Sequence, residues 1–149
     1  MRPSKPQTAH LMVSADDVEA QFYEALREAD IDKLMALWAD DDEVFCVHPG
    51  GPRVVGPRAI RMAFEAIFSG GRILAHPERV RRLHSIDSAV HNLVERIELH
   101  TPEGRRTGYV VATNVFLKTA LGWRMVAHHA SPGTAQETPE VIEAPAVLH

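Results

Sequence analysis

The feature that most constrains the fold is a change in the hydrophobic pattern near residue 72. Before this point, apolar residues recur at the three- and four-residue spacings of helices. After it, four long β-type segments follow, at 73–86, 88–100, 106–119 and 122–131. Short turns join these segments, so we expect them to pair as an antiparallel meander. Helices first and strands afterwards predict an α+β domain in which the helices cover one face of a strongly curved sheet.

The first half of the chain is typical of three helices and one short strand. Ser14 fits the N-cap of a first helix, and Asp30 fits the N-cap of a second, shorter helix. Pro57 fits the first position of a third helix, which Gly70 ends. The β-rich run 44–48 predicts a strand between the second and third helices.

Length and composition exclude several classes of protein. The chain has 149 residues and a net charge of −4, with 16 Lys and Arg against 20 Asp and Glu, which fits one globular domain without a nucleic-acid footprint. No apolar run approaches the roughly 20 residues of a membrane span. The single Cys46 cannot form an internal disulfide, so we expect a cytoplasmic protein. The proline-containing ends, 1–13 and 133–149, are expected to be mobile tails around a domain at 14–132.

A family resemblance rests on phrases spread over residues 14–132. They are Phe22 to Leu26, Asp30 to Asp41, His48 to Pro52, Gly56 to Arg61, Thr113 to Phe116 and Gly122 to Ser131. On these phrases the chain resembles the nuclear transport factor 2-like superfamily, in its SnoaL-like and ketosteroid isomerase-like branch. The same superfamily includes the association domain of calmodulin-dependent kinase.

The resemblance implies a cone-shaped, curved antiparallel sheet wrapped around the three N-terminal helices, a cystatin-like α+β roll. It also implies a small-molecule pocket at the open end of the cone and homodimers formed across the sheet. The fold alone does not specify the chemistry, because it hosts enzymes, ligand binders and assembly modules.

The resemblance also assigns candidate site residues. His48 falls near the general-base position of the isomerase, and Asn114 takes the place of the acid that donates to the enolate oxygen. Phe22 falls where the isomerase has its oxyanion tyrosine, so that hydroxyl is missing here. Trp38 and Phe64 match apolar pocket walls, and Phe22 is expected to line the ligand pocket with them. His48 and Asn114 are therefore the candidate catalytic residues, although both could instead bond only to their protein neighbours.

The adjacent His128 and His129 must point to opposite faces of one strand. His129 shares its alternation with Trp123 and Met125, so we expect it to face the interior and contact a ligand, unless a bulge exchanges the two histidines. Either histidine could also lie, satisfied, at a sheet or dimer surface. The nine histidines form no local metal-binding motif, so we expect no metal and no cofactor.

Two functional hypotheses follow. In the first, the chain is a cofactor-independent isomerase, cyclase or hydratase. His48 would move a proton on a small apolar carbonyl compound, and Asn114 would steady the developing oxyanion. In the second, it is a non-catalytic ligand-binding or dimerisation module of the same fold.

Overall fold

A computed structural model describes residues 12–133 and 140–143 of the chain. Within them, the elements in chain order are α1 (Ala15–Glu28), α2 (Ile31–Ala36), β1 (Phe45–Val47), β2 (Arg53–Val55), α3 (Pro57–Phe68), β3 (Leu74–His84), β4 (Ser88–Thr101), β5 (Gly104–Thr119) and β6 (Gly122–Pro132). The α+β class and the change from helices to long strands are confirmed. None of the described helices is long and apolar enough to cross a membrane.

The predicted caps form the helix ends. The Ser14 side chain accepts a hydrogen bond from the Asp17 backbone N–H at 3.1 Å, and Asp30 accepts one from Lys33 N–H at 3.0 Å. Ala29 ends α1 in the left-handed conformation, with φ of 52°, so that α2 can start at once. Pro57 occupies the first turn of α3, as predicted.

The six strands form one curved, unclosed sheet in the order β2-β1-β6-β5-β4-β3. All neighbouring pairs are antiparallel except β1 and β6, which run parallel. The long hairpin of β4 and β5 forms the centre of the sheet, and α1 packs on its concave face. This arrangement places the inward side chains of β4, β5 and β6 against α1.

A β-bulge decides which histidine of β6 faces inward. Val115 pairs with Ala127 and Phe116 pairs with Met125, so Val126 is one residue too many for its partner strand. The extra residue reverses the alternation that starts at Trp123. His128 is consequently buried, at 4% exposure, whereas His129 is exposed on the outer face. The prediction that His129 faces the interior is wrong for this reason.

The core continues slightly before the expected start of the domain. Met12 is buried, and its carbonyl accepts a hydrogen bond from Trp123 N–H at 3.0 Å. The packed structure therefore begins at least two residues before residue 14. Most of the two expected tails, 1–11, 134–139 and 144–149, lies outside the described residues.

Candidate functional site

The concave side of the sheet holds a group of polar side chains inside an otherwise apolar core. Five polar or charged residues in the described part of the chain are buried: Glu19, His91, Glu95, Asn114 and His128. The phenol of Tyr23 joins them. We call these six side chains the interior network. Buried polar groups are costly unless they are hydrogen-bonded, so their partners define what the network can do.

Asn114 lies at the centre of the interior network. Its Nδ2 donates to Glu19 Oε2 at 3.0 Å and to the Tyr23 hydroxyl oxygen at 3.1 Å. Its Oδ1 lies 2.6 Å from His128 Nδ1. Because a carboxylate oxygen only accepts, the amide nitrogen must face Glu19, and the amide oxygen then accepts from His128 Nδ1–H. The Nε2 of neutral His128 is left with its lone pair.

Glu95 is the carboxyl group of the described residues whose pKa is clearly shifted. Burial is the main cause that raises its pKa to about 7; the hydrogen bond from Tyr23 opposes the rise and the charge of Glu19 supports it. That bond runs from the Tyr23 hydroxyl to Glu95 Oε2 at 2.7 Å. Burial and the nearby Glu95 in turn raise the pKa of Tyr23, so the phenol keeps its proton. Glu95 thus exchanges a proton near neutral pH.

His128 faces Glu95 and stays neutral. Its Nε2 lies 3.9 Å from Glu95 Oε2. Burial, together with the neighbouring His48 and His129, lowers the pKa of His128 to about 3. Because the pKa of Glu95 is about 7 and that of His128 is about 3, a proton between the two groups stays on Glu95, and His128 remains its neutral neighbour.

His48 is half-buried at the end of β1, next to this pair. Its ring packs edge-on against Phe64 with centroids 4.9 Å apart, and it lies 6.4 Å from the His128 ring. Burial lowers the pKa of His48, so its imidazole is a neutral base at pH 7. The Cys46 sulfur lies 3.7 Å from His48 Nε2, but burial raises the pKa of this thiol to about 12. Cys46 is therefore a poor nucleophile.

The predicted apolar walls divide between two places. Phe22 and Phe64 are buried beside the histidines, with the Phe22 ring 5.1 Å from His128 and 6.3 Å from Phe64. Trp38 instead lines a surface cleft of about 250 Å³ between α2 and α3, together with Met35 and Arg58. Phe22 and Phe64 thus surround the histidines, whereas Trp38 lies along a separate cleft.

Within the described residues, His128 connects the two candidate catalytic residues, because it hydrogen-bonds Asn114 and lies near His48. Both amide hydrogens of Asn114 are directed at protein neighbours. An oxyanion would have to displace Glu19 or Tyr23 to reach them. The catalytic roles of His48 and Asn114 stay predictions.

The sequence interpretation missed Glu19 and Glu95. The sequence pattern does indicate both residues, because each is a charged residue on the apolar face of its helix or strand. Glu95 shares the alternation of the inward Leu93 in β4, and Glu19 lies one turn before the buried Tyr23 on α1. A carboxylate in such a position predicts burial with partners from other strands.

The opposite face of the sheet has a different character. A shallow groove of about 470 Å³ runs over it, which we call the outer groove. Its lining residues are Phe45, Asn92, Val111, Thr113, Val115, Ala127, His129 and Ser131. His129 therefore belongs to this surface and not to the interior network.

Solved structures with the same fold include proteins of two kinds. A provisionally assigned calcium/calmodulin-dependent protein kinase type II association domain from Thiobacillus denitrificans is 32% identical, with a TM-score of 0.75 over 82% of this chain and 97% of that one. A provisionally assigned dehydratase of the NTF2-like family from Streptomyces avermitilis is 29% identical, with a TM-score of 0.72 over 86% of this chain and 98% of that one. No curated protein matches the chain significantly.

A more distant neighbour, the calcium/calmodulin-dependent kinase II hub of S. rosetta, is 21% identical with a TM-score of 0.63, covers 89% of this chain and 100% of that one, and shows the fold alone. The profile of the SnoaL-like domain matches residues 16–135, which include every residue of the interior network. The chain therefore belongs to the SnoaL-like domain family of the NTF2-like superfamily, as its sequence resemblance implies.

Proposed function

We propose that the chain is an acid–base enzyme of the isomerase or dehydratase kind, acting on a small apolar carbonyl compound without a cofactor. The observation that carries this proposal is the buried Glu95, whose pKa of about 7 suits proton transfer at neutral pH. Burying a carboxyl group costs free energy that an apolar side chain would not cost, which favours a functional role for Glu95.

The proposed reaction moves a proton at the carbon next to a carbonyl group. His48 removes this proton as the base at the mouth, and protonated Glu95 donates its proton to the carbonyl oxygen, so that an enol forms. The reverse steps return a proton to the same or a neighbouring carbon. Tyr23 positions Glu95 through its 2.7 Å hydrogen bond, and Asn114 positions the neighbouring His128 through the 2.6 Å contact. Phe22 and Phe64 exclude water from these groups.

Solvent hydrogen exchange tests this proposal without knowledge of the natural substrate. A panel of small ketones and enones is incubated with the protein in deuterium oxide, and mass spectrometry measures the gain of one mass unit per exchanged hydrogen. We expect at least one compound to exchange faster with the protein than without it.

Three variants sharpen the experiment. Glu95→Gln and His48→Ala are expected to lower the exchange rate at least about 100-fold, the usual size of a general acid or base contribution. His129→Ala is the matched control, because His129 lies on the outer face, and it should exchange like the wild type. Equal rates in all four proteins would contradict the proposal.

A second candidate function is a non-catalytic module that binds a small molecule or forms a homodimer. It is favoured by Asn114, whose hydrogen-bonding groups all have partners inside the protein. Its test is mass spectrometry of the compounds that co-purify with the protein. A ligand that is recovered chemically unchanged after incubation, together with no solvent exchange, supports binding alone.

A further inference from the structure

We propose a site for a divalent transition metal, Zn²⁺ in the first place, at the rim of the cone. Its ligands are His84, His91 and Asp16, and Glu19 orients His91. The cluster lies at the end of the interior network, away from His48. It is independent of the proposed reaction, because none of the metal ligands is assigned a role in proton transfer.

The two histidines face each other with the ring nitrogens that would bind the metal. His91 Nε2 and His84 Nε2 are 3.0 Å apart, and their rings are stacked at 20°. Two imidazole nitrogens bound to one tetrahedral zinc ion at the usual distance are about 3.3 Å apart, so little movement is needed. Asp16 Oδ1 lies 3.9 Å from the same His91 nitrogen, and ligand atoms of Asp16, Glu19 and His91 all lie within 4.8 Å of one another. His84 joins this group through its contact with His91, and the exposed Asp16 side chain turns toward it to supply the carboxylate.

Glu19 supplies the outer contact that zinc-bound histidines normally have. Its Oε1 lies 3.0 Å from His91 Nδ1, the nitrogen that faces away from His84. His91 is fully buried, and this close contact is not aligned as a regular hydrogen bond. A small turn of either side chain aligns it, and the proton then stays on Nδ1, so that Nε2 keeps its lone pair for the metal.

The position of the cluster allows an ion to enter without opening the core. His84 is exposed and the Asp16 side chain is 55% exposed, whereas His91 and Glu19 are buried behind them. One group competes with the metal, since Arg82 Nε donates to Asp16 Oδ1 at 2.8 Å. Two imidazoles and a carboxylate suit Zn²⁺ better than Mg²⁺ or Ca²⁺, which prefer oxygen ligands.

The experiment is a calorimetric titration of the full chain with Zn²⁺ at pH 7.5, after treatment with a chelator. We expect one zinc ion per chain at this site. His84→Ala should weaken its binding at least about tenfold, and because His84 is exposed this variant should keep the wild-type melting temperature. His100→Ala, which removes an exposed histidine at the far end of β4, should bind zinc like the wild type.

Two further variants test the assigned roles. Glu19→Gln keeps every ligand and should weaken zinc binding about 10- to 100-fold, as loss of an outer contact does. Arg82→Gln removes the competitor for Asp16 and should tighten zinc binding, whereas a histidine pair without a metal predicts no such gain. The proposal is overturned if His84→Ala and the wild type bind zinc equally, or if neither binds it.

Discussion

The two faces of one sheet show opposite chemistry, and the neighbouring His128 and His129 illustrate it. His128 lies on the inner face, where burial lowers its pKa to about 3 and a hydrogen bond fixes its ring. His129 lies one residue later on the outer groove, among half-buried apolar side chains. The inner face thus holds desolvated, hydrogen-bonded polar groups, whereas the outer face is a shallow, partly apolar groove. Two adjacent histidines thus differ in burial and in hydrogen bonding because they lie on opposite faces of the sheet.

The largest expected difference between the faces concerns asparagines. Asn114→Leu removes one hydrogen bond from each of the buried Glu19, Tyr23 and His128 and leaves His128 Nδ1 unpaired, so we expect a loss of about 3 kcal/mol or more in the free energy of unfolding. Urea denaturation at pH 7 measures it. The control is Asn92→Ala, which removes an exposed amide bonded to Thr113 on the outer face. It should cost less than about 1 kcal/mol, and equal losses would break the comparison.

The next effect is a change in the pH dependence of stability. The folded chain keeps the Glu95 proton up to pH about 7, against 4.5 for an ordinary glutamate, so Glu95 lowers stability as pH rises through this window. His128 acts in the opposite sense: its pKa falls from 6.5 to about 3 on folding, so stability is lost as pH falls through that window. Between pH 4.5 and 6.5 the two contributions cancel.

Glu95→Gln removes the contribution of Glu95 to the pH dependence of stability and leaves that of His128. The variant should gain about 1.4 kcal/mol of stability per pH unit, relative to wild type, as pH rises from 4.5 to 6.5. Chemical denaturation at four pH values in this range measures the slope. Glu103→Gln, at an exposed hairpin turn, is the control and should follow the wild type. A slope that Glu95→Gln leaves unchanged would show that Glu95 titrates normally.

We propose that the homodimer of the second candidate function forms across the outer groove, and self-association tests this proposal. Val115→Lys places a charge in the outer groove and should raise the dimer dissociation constant at least about tenfold, which corresponds to about 1.4 kcal/mol. Sedimentation equilibrium measures this constant. Ile86→Lys adds the same charge at a side chain that is 89% exposed, and it should leave association unchanged. If the wild type is monomeric at all concentrations, the outer groove does not form a homodimer.

The smallest expected effect is that of His129→Ala on the stability of the single chain. Because His129 is exposed, the change should stay within about 0.5 kcal/mol. His128→Ala removes a buried imidazole bonded to Asn114 and should cost roughly 2 kcal/mol or more. Urea denaturation at pH 7 compares the two variants, and a reversed order would contradict the inward position of His128.

Local sequence signals were sufficient for most of the fold. Ser14, Asp30 and Pro57 mark the helix starts, because capping and the fixed φ of proline act within a few residues. The long strands follow from alternation over 10 or more residues, joined by short turns. The fold family followed from the same phrases, and residues 16–135 match its profile.

What the sequence by itself determined about this protein is therefore its elements, their order and its family. Only the tertiary structure decided the site. The bonds that define the interior network join residues that are 72 positions apart, as in Tyr23 and Glu95, or 95 apart, as in Asn114 and Glu19. The bulge at Val126 exchanged the two histidines, because the alternation of a strand depends on its partner's register. The acidity of Glu95 likewise depends on every element packed around it, since desolvation is a property of the assembled core.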